Sequence, residues 1–186
     1  MSIRKVVPIA SVVAVAAMAF MLRAAAAAPA PATTRASALD DPTIVAIFDA
    51  ANTWDIETGA LAEKKGTTKD IRDFGAMLAR DHKNVRQQGR DLAKKLGVTP
   101  TPPKDDDSMK SHAAIMKRLG GLSGKEFDKA FLQNEVGYHD AVIGAVTKTL
   151  LPAIQNAELK DLVTKVAPAF VAHRDAAKNL LDKQGM

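Results

Sequence analysis

Three histidines and two glutamates carry the chemistry of this chain, because each falls on or beside a helical stripe that is otherwise apolar. His82 follows Ile71, Gly75 and Leu78 and precedes Val85, Gly89, Leu92 and Leu96, in alternating steps of four and three residues. The same spacing sets His139 among Leu132, Val136, Ile143, Val146 and Leu150. It sets His173 among Leu159, Val163, Val166, Phe170, Ala177 and Leu180. Glu57 continues the run Ile47, Ala50, Trp54 toward Leu61, and Glu135 lies one helical turn before His139. Steps of four and three keep a set of side chains on one helix face, the face that packs inward. Charged and polar groups placed there are costly unless they are paired with one another or bind a metal.

Two uses of such a cluster follow from the residue types. Glu57, His82, Glu135, His139 and His173 together offer the oxygen and nitrogen ligands that suit one divalent ion: iron, zinc, manganese or copper. Alternatively the cluster is metal-free, with Glu57–His and Glu135–His pairs and Asp81 in reserve satisfying one another in a structural core. The carboxylate-bridged di-iron pattern needs a glutamate three residues before a histidine on two helices. Ala79 and Phe170 occupy those positions before His82 and His173, so di-iron chemistry is not expected. A mononuclear metal oxidoreductase is the remaining enzymatic reading; a binding role is favoured over a catalytic one. There is no Gly-rich phosphate loop, nucleophile elbow or His-Glu-x-x-His motif. There is no cysteine either, which removes disulfides, thiolate sites and thiol catalysis.

Other candidates read more plainly. Met109, His112 and Met116 share one side of a short helix, either as a soft copper(I) patch or, the simpler reading, as a cover over the core. Trp54 and Tyr138 sit beside the polar cluster as core filling. Lys83, Arg86, Arg90 and Lys94 form a solvated outer face. Without aromatic stacking partners they do not indicate nucleic acid. The formal charge of +5 includes Arg4, Lys5 and Arg23; without these three, 23 basic residues face 21 acidic ones, a balance of +2.

The elements that must position these residues are helices. Hydrophobic residues make up 47% of the chain but aromatic ones only 4%, and the alanine-rich remainder favours helices over strands. Asp40-Asp41-Pro42 opens a first long helix that stops at Gly66. Thr67 or Thr68 opens a second, which ends at Gly97. Pro100, Pro102 and Pro103 then break the chain before a short helix from Ser108 to Leu119. Ser123 opens a third long helix reaching Leu150, and Asn156 opens a fourth reaching Gln184. The pattern predicts an all-α, ferritin-like four-helix bundle over residues 40–184. Its long second-to-third crossover, Gly97 to Leu122, contains the short helix and is long enough to return the chain along the whole bundle. With that topology and about 1.5 Å of rise per residue, Glu57, Glu135, His82, His139 and His173 fall within about two helical turns of one another. A weak internal repeat accompanies it: Phe74 precedes His82 by eight residues, as Phe131 precedes His139.

Before the bundle lies a leader. Arg4 and Lys5, an apolar run from Val6 to Leu22 and a small-residue tail predict a signal peptide over residues 1–28 and a flexible linker over 29–39. The absence of an Arg-Arg pair favours the general secretory route. Export to the periplasm, or secretion, is expected, with no membrane span left after cleavage.

The residues also resemble a known family. Trp54-Asp-Ile-Glu57-Thr-Gly-Ala-Leu-Ala62, then Asp70-Ile-Arg-Asp-Phe74 leading to Asp81-His82, is similar to the bacterial exported family called domain of unknown function 4142. Phe127-Asp-Lys-Ala-Phe131, His139 and His173 fit the same pattern, and the resemblance runs from about Asp40 to Leu181. It implies a ferritin-like helical bundle in the periplasm or outer envelope and no particular activity. Glu57, His82, His139 and His173 match its motif positions. Gly137-Tyr138 departs from the family's residues before the second histidine.

Overall fold

The computed structural model describes residues 39–104 and 106–185; the signal peptide and all but the last residue of the linker expected from the sequence lie outside them. Six α-helices make up the described chain: α1 Asp41–Lys65, α2 Lys69–Leu96, α3 Ser108–Gly121, α4 Gly124–Ala145, α5 Leu151–Ala153 and α6 Ala157–Lys183. A π-helical turn, Val146–Leu150, joins α4 to the single turn of α5. No strand occurs among the described residues, and no helix there is long and apolar enough to cross a membrane.

The helix ends fall where capping chemistry puts them. The Asp40 carboxylate accepts from the Thr43 N–H at 2.9 Å, with Pro42 in the first turn. The Thr68 hydroxyl accepts from Ile71 N–H, and the Asn156 side-chain oxygen from Leu159 N–H. Gly97 ends α2 with φ +66°, a left-handed conformation that glycine adopts without a Cβ penalty. Asp41 accepts from the N–H groups of Gln155 and Asn156 and so ties the start of α1 to the start of α6.

α1 packs on α2 and α4 on α6, while α2 also meets α6 and α1 meets α4. The segment after α2 runs back along α1: Thr101 N–H bonds Pro42 O at one end, and Lys65 Nζ bonds Gly120 O at the other. The chain therefore crosses the full length of α1 before α4 begins, as the proline-rich break and its length predict. Asp128 near the start of α4 closes that end by accepting from Thr67 N–H at 3.1 Å.

Where α1 crosses α2, Gly59 and Gly75 let the backbones touch. A Cβ on Gly59 would stand 2.6 Å from Gly75 O, and one on Gly75 would stand 2.6 Å from Gly59 O. The core is split in two. Ile44, Phe48, Val163 and Phe170 belong to one apolar cluster, and Ile71, Leu78, Phe127 and Phe131 to the other. Between them, at mid-height on all four long helices, lies a layer of buried polar side chains: Asn52, Asp55, His82, Glu135, His139 and His173.

Candidate metal centre

The three histidines come together as their spacing predicts. His82 from α2, His139 from α4 and His173 from α6 are all buried, with ring centroids 5.1–5.7 Å apart. Each offers a ring nitrogen within 4.8 Å of the others, so this group could hold a metal ion. The internal repeat is spatial as well: Phe74 and Phe131 pack at 5.9 Å just as His82 and His139 pack at 5.7 Å.

Hydrogen bonding fixes which nitrogen of each ring carries its proton. The Asn52 amide nitrogen donates to Phe48 O at 2.7 Å, which leaves Asn52 Oδ1 as an acceptor facing His82 Nδ1 at 2.9 Å. His82 Nδ1–H is therefore the donor, and the lone pair is on Nε2. His139 Nδ1 donates to the Glu135 carbonyl at 2.9 Å, which puts its lone pair on Nε2 as well. His173 Nε2 donates to the Asp81 carboxylate at 3.3 Å and keeps its lone pair on Nδ1. His82 Nε2 and His173 Nδ1 then face each other at 3.2 Å. On one tetrahedral ion with metal–nitrogen distances of about 2.0–2.1 Å, two imidazole nitrogens stand about 3.3 Å apart. Anchoring the distal ring nitrogen on an amide, carbonyl or carboxylate is the way proteins orient imidazole ligands.

The electrostatics favour the neutral, ligating form. Burial pushes the His82 pKa down to about 2, with the neighbouring rings of His173 and His139 adding to the effect. It pushes His139 down to about 4, against the opposing pull of its bond to the Glu135 carbonyl. His173 is also lowered by burial, against the opposing pull of its hydrogen bond to Asp81, whose carboxylate favours the charged form. A proton held between His82 and His173 would make one of them an imidazolium, which burial resists.

Two buried acids adjoin the rings. Asp55 and Glu135 face each other, and with His139 they form a second group whose ligand atoms lie within 4.8 Å. Burial and the mutual repulsion of the two carboxylates raise Asp55 well above its ordinary value. Burial raises Glu135 to about 7, although hydrogen bonds from Thr58, Asp55 and Asn134 pull it the other way. Burial together with these two acids also lifts the Tyr138 phenol.

Glu57 does not join them. Its side chain is half exposed and accepts from His112 Nε2 at 2.7 Å on the outer side of α1. The inward stripe of α1 is Val45, Phe48, Asn52, Asp55, Gly59 and Ala62, not Ile47, Ala50, Trp54, Glu57 and Leu61. The physical reason is the glycine contact: only with Gly59 facing Gly75 can the two helices approach this closely, and that turns Glu57 outward. Asp55 thus stands where Glu57 was expected, and Asn52 and Asp55 were not anticipated as members of the cluster. His112 stacks on Trp54 at 5.2 Å, while Met109 is 73% exposed, so α3 covers this side of α1 through His112 and not through Met109.

An all-helical chain with a buried layer of imidazoles and carboxylates on four long helices defines the class. The chain belongs to the family described as domain of unknown function (DUF4142), whose model matches residues 25–180. No curated protein matches the chain in sequence. In structure it is similar to a DUF305 fragment from Deinococcus radiodurans, with a TM-score of 0.67 and 12% identity over 76% of this chain and 95% of that one. At this identity the likeness is one of fold.

Proposed function

We propose that this protein is an exported, ferritin-like four-helix bundle that binds a single divalent metal ion at its centre through His82 Nε2, His139 Nε2 and His173 Nδ1. The observation that carries the reading is the convergence of three buried imidazoles, each offering a ring nitrogen within 4.8 Å of the others and each with one nitrogen committed to an acceptor. Asp55 and Glu135 stand beside this set and are available to balance charge or to complete the coordination. A nitrogen-rich set of this kind suits zinc, copper or iron better than manganese. The bundle assignment is supported by the ring of contacts among the four long helices and by the full-length crossover. Export is supported by the basic, apolar and small-residue order of the leader.

The metal-free alternative has a specific difficulty. Asp55 Oδ1, Glu135 Oε2 and His139 Nε2 are buried without a hydrogen-bond partner, and all three belong to this one cluster. Each such group costs about 1–3 kcal/mol in a structural core.

The test is metal stoichiometry and affinity, for protein purified from its native compartment and for four single variants, each first checked for folding by circular dichroism. His82→Ala, His139→Ala and His173→Ala should each lose most of the bound metal, and His112→Ala should bind as the parent does. If the three central variants fold and bind metal like the parent, the proposal is wrong.

A further inference from the structure

Beside the histidine layer, on the side covered by α3, a cavity of about 240 Å³ opens between α1, α3 and α4. Its walls include Trp54, Thr58, His112, Ile115 and Tyr138, and Asp55 lines it as well. Asp55 is only 3% exposed, and its Oδ1 has no hydrogen-bond partner. Trp54 lies 6.2 Å from Tyr138 at 58° and stacks on His112 at 11°, so the wall is largely aromatic. Glu135 adjoins Asp55, and among the described residues no lysine or arginine pairs with either acid. A second, apolar groove of about 410 Å³ shares Trp54, Ser108 and Tyr138 with the cavity and continues along Ile47, Val142 and Met109.

We propose that the cavity is a binding site for an alkylammonium ligand, with its charged head at Asp55 and its hydrocarbon chain against Trp54, Tyr138 and the adjoining groove. Asp55 has no lysine or arginine partner, and its imidazole neighbour, His82 Nδ1 at 3.5 Å, is held neutral by burial, so the buried carboxylate favours a cation over an anion or a neutral molecule. Polar side chains for the head's N–H groups line the wall with Asp55: Thr58, and Asn134, whose amide nitrogen is turned toward Glu135 Oε1 and leaves its side-chain oxygen as an acceptor. The faces of Trp54 and Tyr138 attract an ammonium as well as a hydrocarbon. A bare metal ion fits this cavity poorly, because it is far larger than one ion and is walled by aromatic and aliphatic groups. No atom of His82, His139 or His173 lines the cavity, but Asp55 Oδ2 lies 3.5 Å from His82 Nδ1, so the ammonium site adjoins the histidine layer and takes Asp55 as its anchor in place of a metal ligand.

Trp54 is the single tryptophan of the chain, so its fluorescence reports on the site directly. The experiment titrates n-hexylammonium and n-hexanol into chelator-treated and zinc-loaded protein, with calorimetry alongside fluorescence. Hexylammonium should bind at least tenfold more tightly than hexanol in both preparations. Asp55→Asn should bring the amine down to the affinity of the alcohol, and Ile115→Phe, which narrows the cavity from α3, should weaken both. Hexanol binding as tightly as hexylammonium overturns the proposal, as does an Asp55→Asn protein that keeps the amine preference. Zinc that displaces the amine, in a protein whose zinc stoichiometry falls with Asp55→Asn, also overturns it by making the carboxylates metal ligands. Should Asp55→Asn fail to fold, unchanged amine binding by Ile115→Phe is the overturning result.

Discussion

Keeping Glu135 costs the metal-free protein stability, and the cost has a definite pH signature. Glu135 is fully buried, and burial raises its pKa from 4.5 to about 7. In the unfolded chain the same carboxyl loses its proton near 4.5, whereas in the folded chain it keeps the proton until about 7. Between these values the folded state binds more protons than the unfolded one, so stability falls as pH rises through the window. At about 1.4 kcal/mol per tenfold change, the full penalty above pH 7 is about 3 kcal/mol. Glu135→Gln preserves the shape and removes the titration.

The chelator-treated variant should therefore be about 3 kcal/mol more stable than the parent at pH 8, and only about 1 kcal/mol more stable at pH 5.5. The histidines give a trend of opposite sign. Their folded pKa values lie below the unfolded 6.5, so the stability they lend is present above 6.5 and fades as pH falls toward about 4 for His139 and about 2 for His82. Parent and variant share that loss, and it cancels in the difference between them. The assay is urea unfolding followed by far-UV circular dichroism at several pH values from 5.5 to 8.5, with chelator present throughout. A difference that does not change with pH, or a variant less stable than the parent at pH 8, refutes the account of Glu135 as an acid held against its own desolvation.

Two further predictions test the elements around the site. Gly59→Ala gains about 1 kcal/mol of helix propensity but drives a Cβ into the backbone of Gly75 and Ala79, so it should destabilise by about 1–3 kcal/mol net in thermal or urea unfolding; Gly137→Ala, with nothing within 4 Å of its Cβ, should not. Asp81→Asn removes the carboxylate that anchors His173 without touching the three ligating nitrogens, and metal affinity measured by competition with a chromophoric chelator should fall about 10–100-fold.

The helices and the histidines were legible because each is written in a local signal. Asp40, Thr68, Gly97 and Asn156 mark helix ends through the backbone groups they satisfy, and the structure places the ends within a few residues of those marks. On α2, α4 and α6 the seam is strongly apolar, so one histidine interrupting it is conspicuous. The long break after α2 made the crossover readable from length alone. The π-helical turn at Val146–Leu150 left no comparable mark, since the residues there continue the apolar spacing of α4.

On α1 the inward face differs from the one its hydrophobicity suggests, for a reason that bears on the site itself. Two repeats of the same spacing run along this helix: Ile47, Ala50, Trp54, Glu57 and Leu61, and Phe48, Asn52, Asp55, Gly59 and Ala62. By hydrophobicity the first looks like the core, because it holds Trp54 and Leu61, while the second holds two polar residues, a glycine and an alanine. The structure selects the second. Gly59 and Ala62 are small enough for α2 to come close, and that close approach brings Asn52 onto His82 and Asp55 onto Glu135. Asn52 and Asp55 gain from burial only through these partners, which come from other helices and leave no trace in the periodicity of α1. A seam that is poorer in hydrophobic residues than the face beside it, yet carries a glycine matched by one on the next helix, is what a buried polar centre requires. Read that way, Gly59 with Gly75 is the sequence signal that could have pointed to Asp55 in place of Glu57.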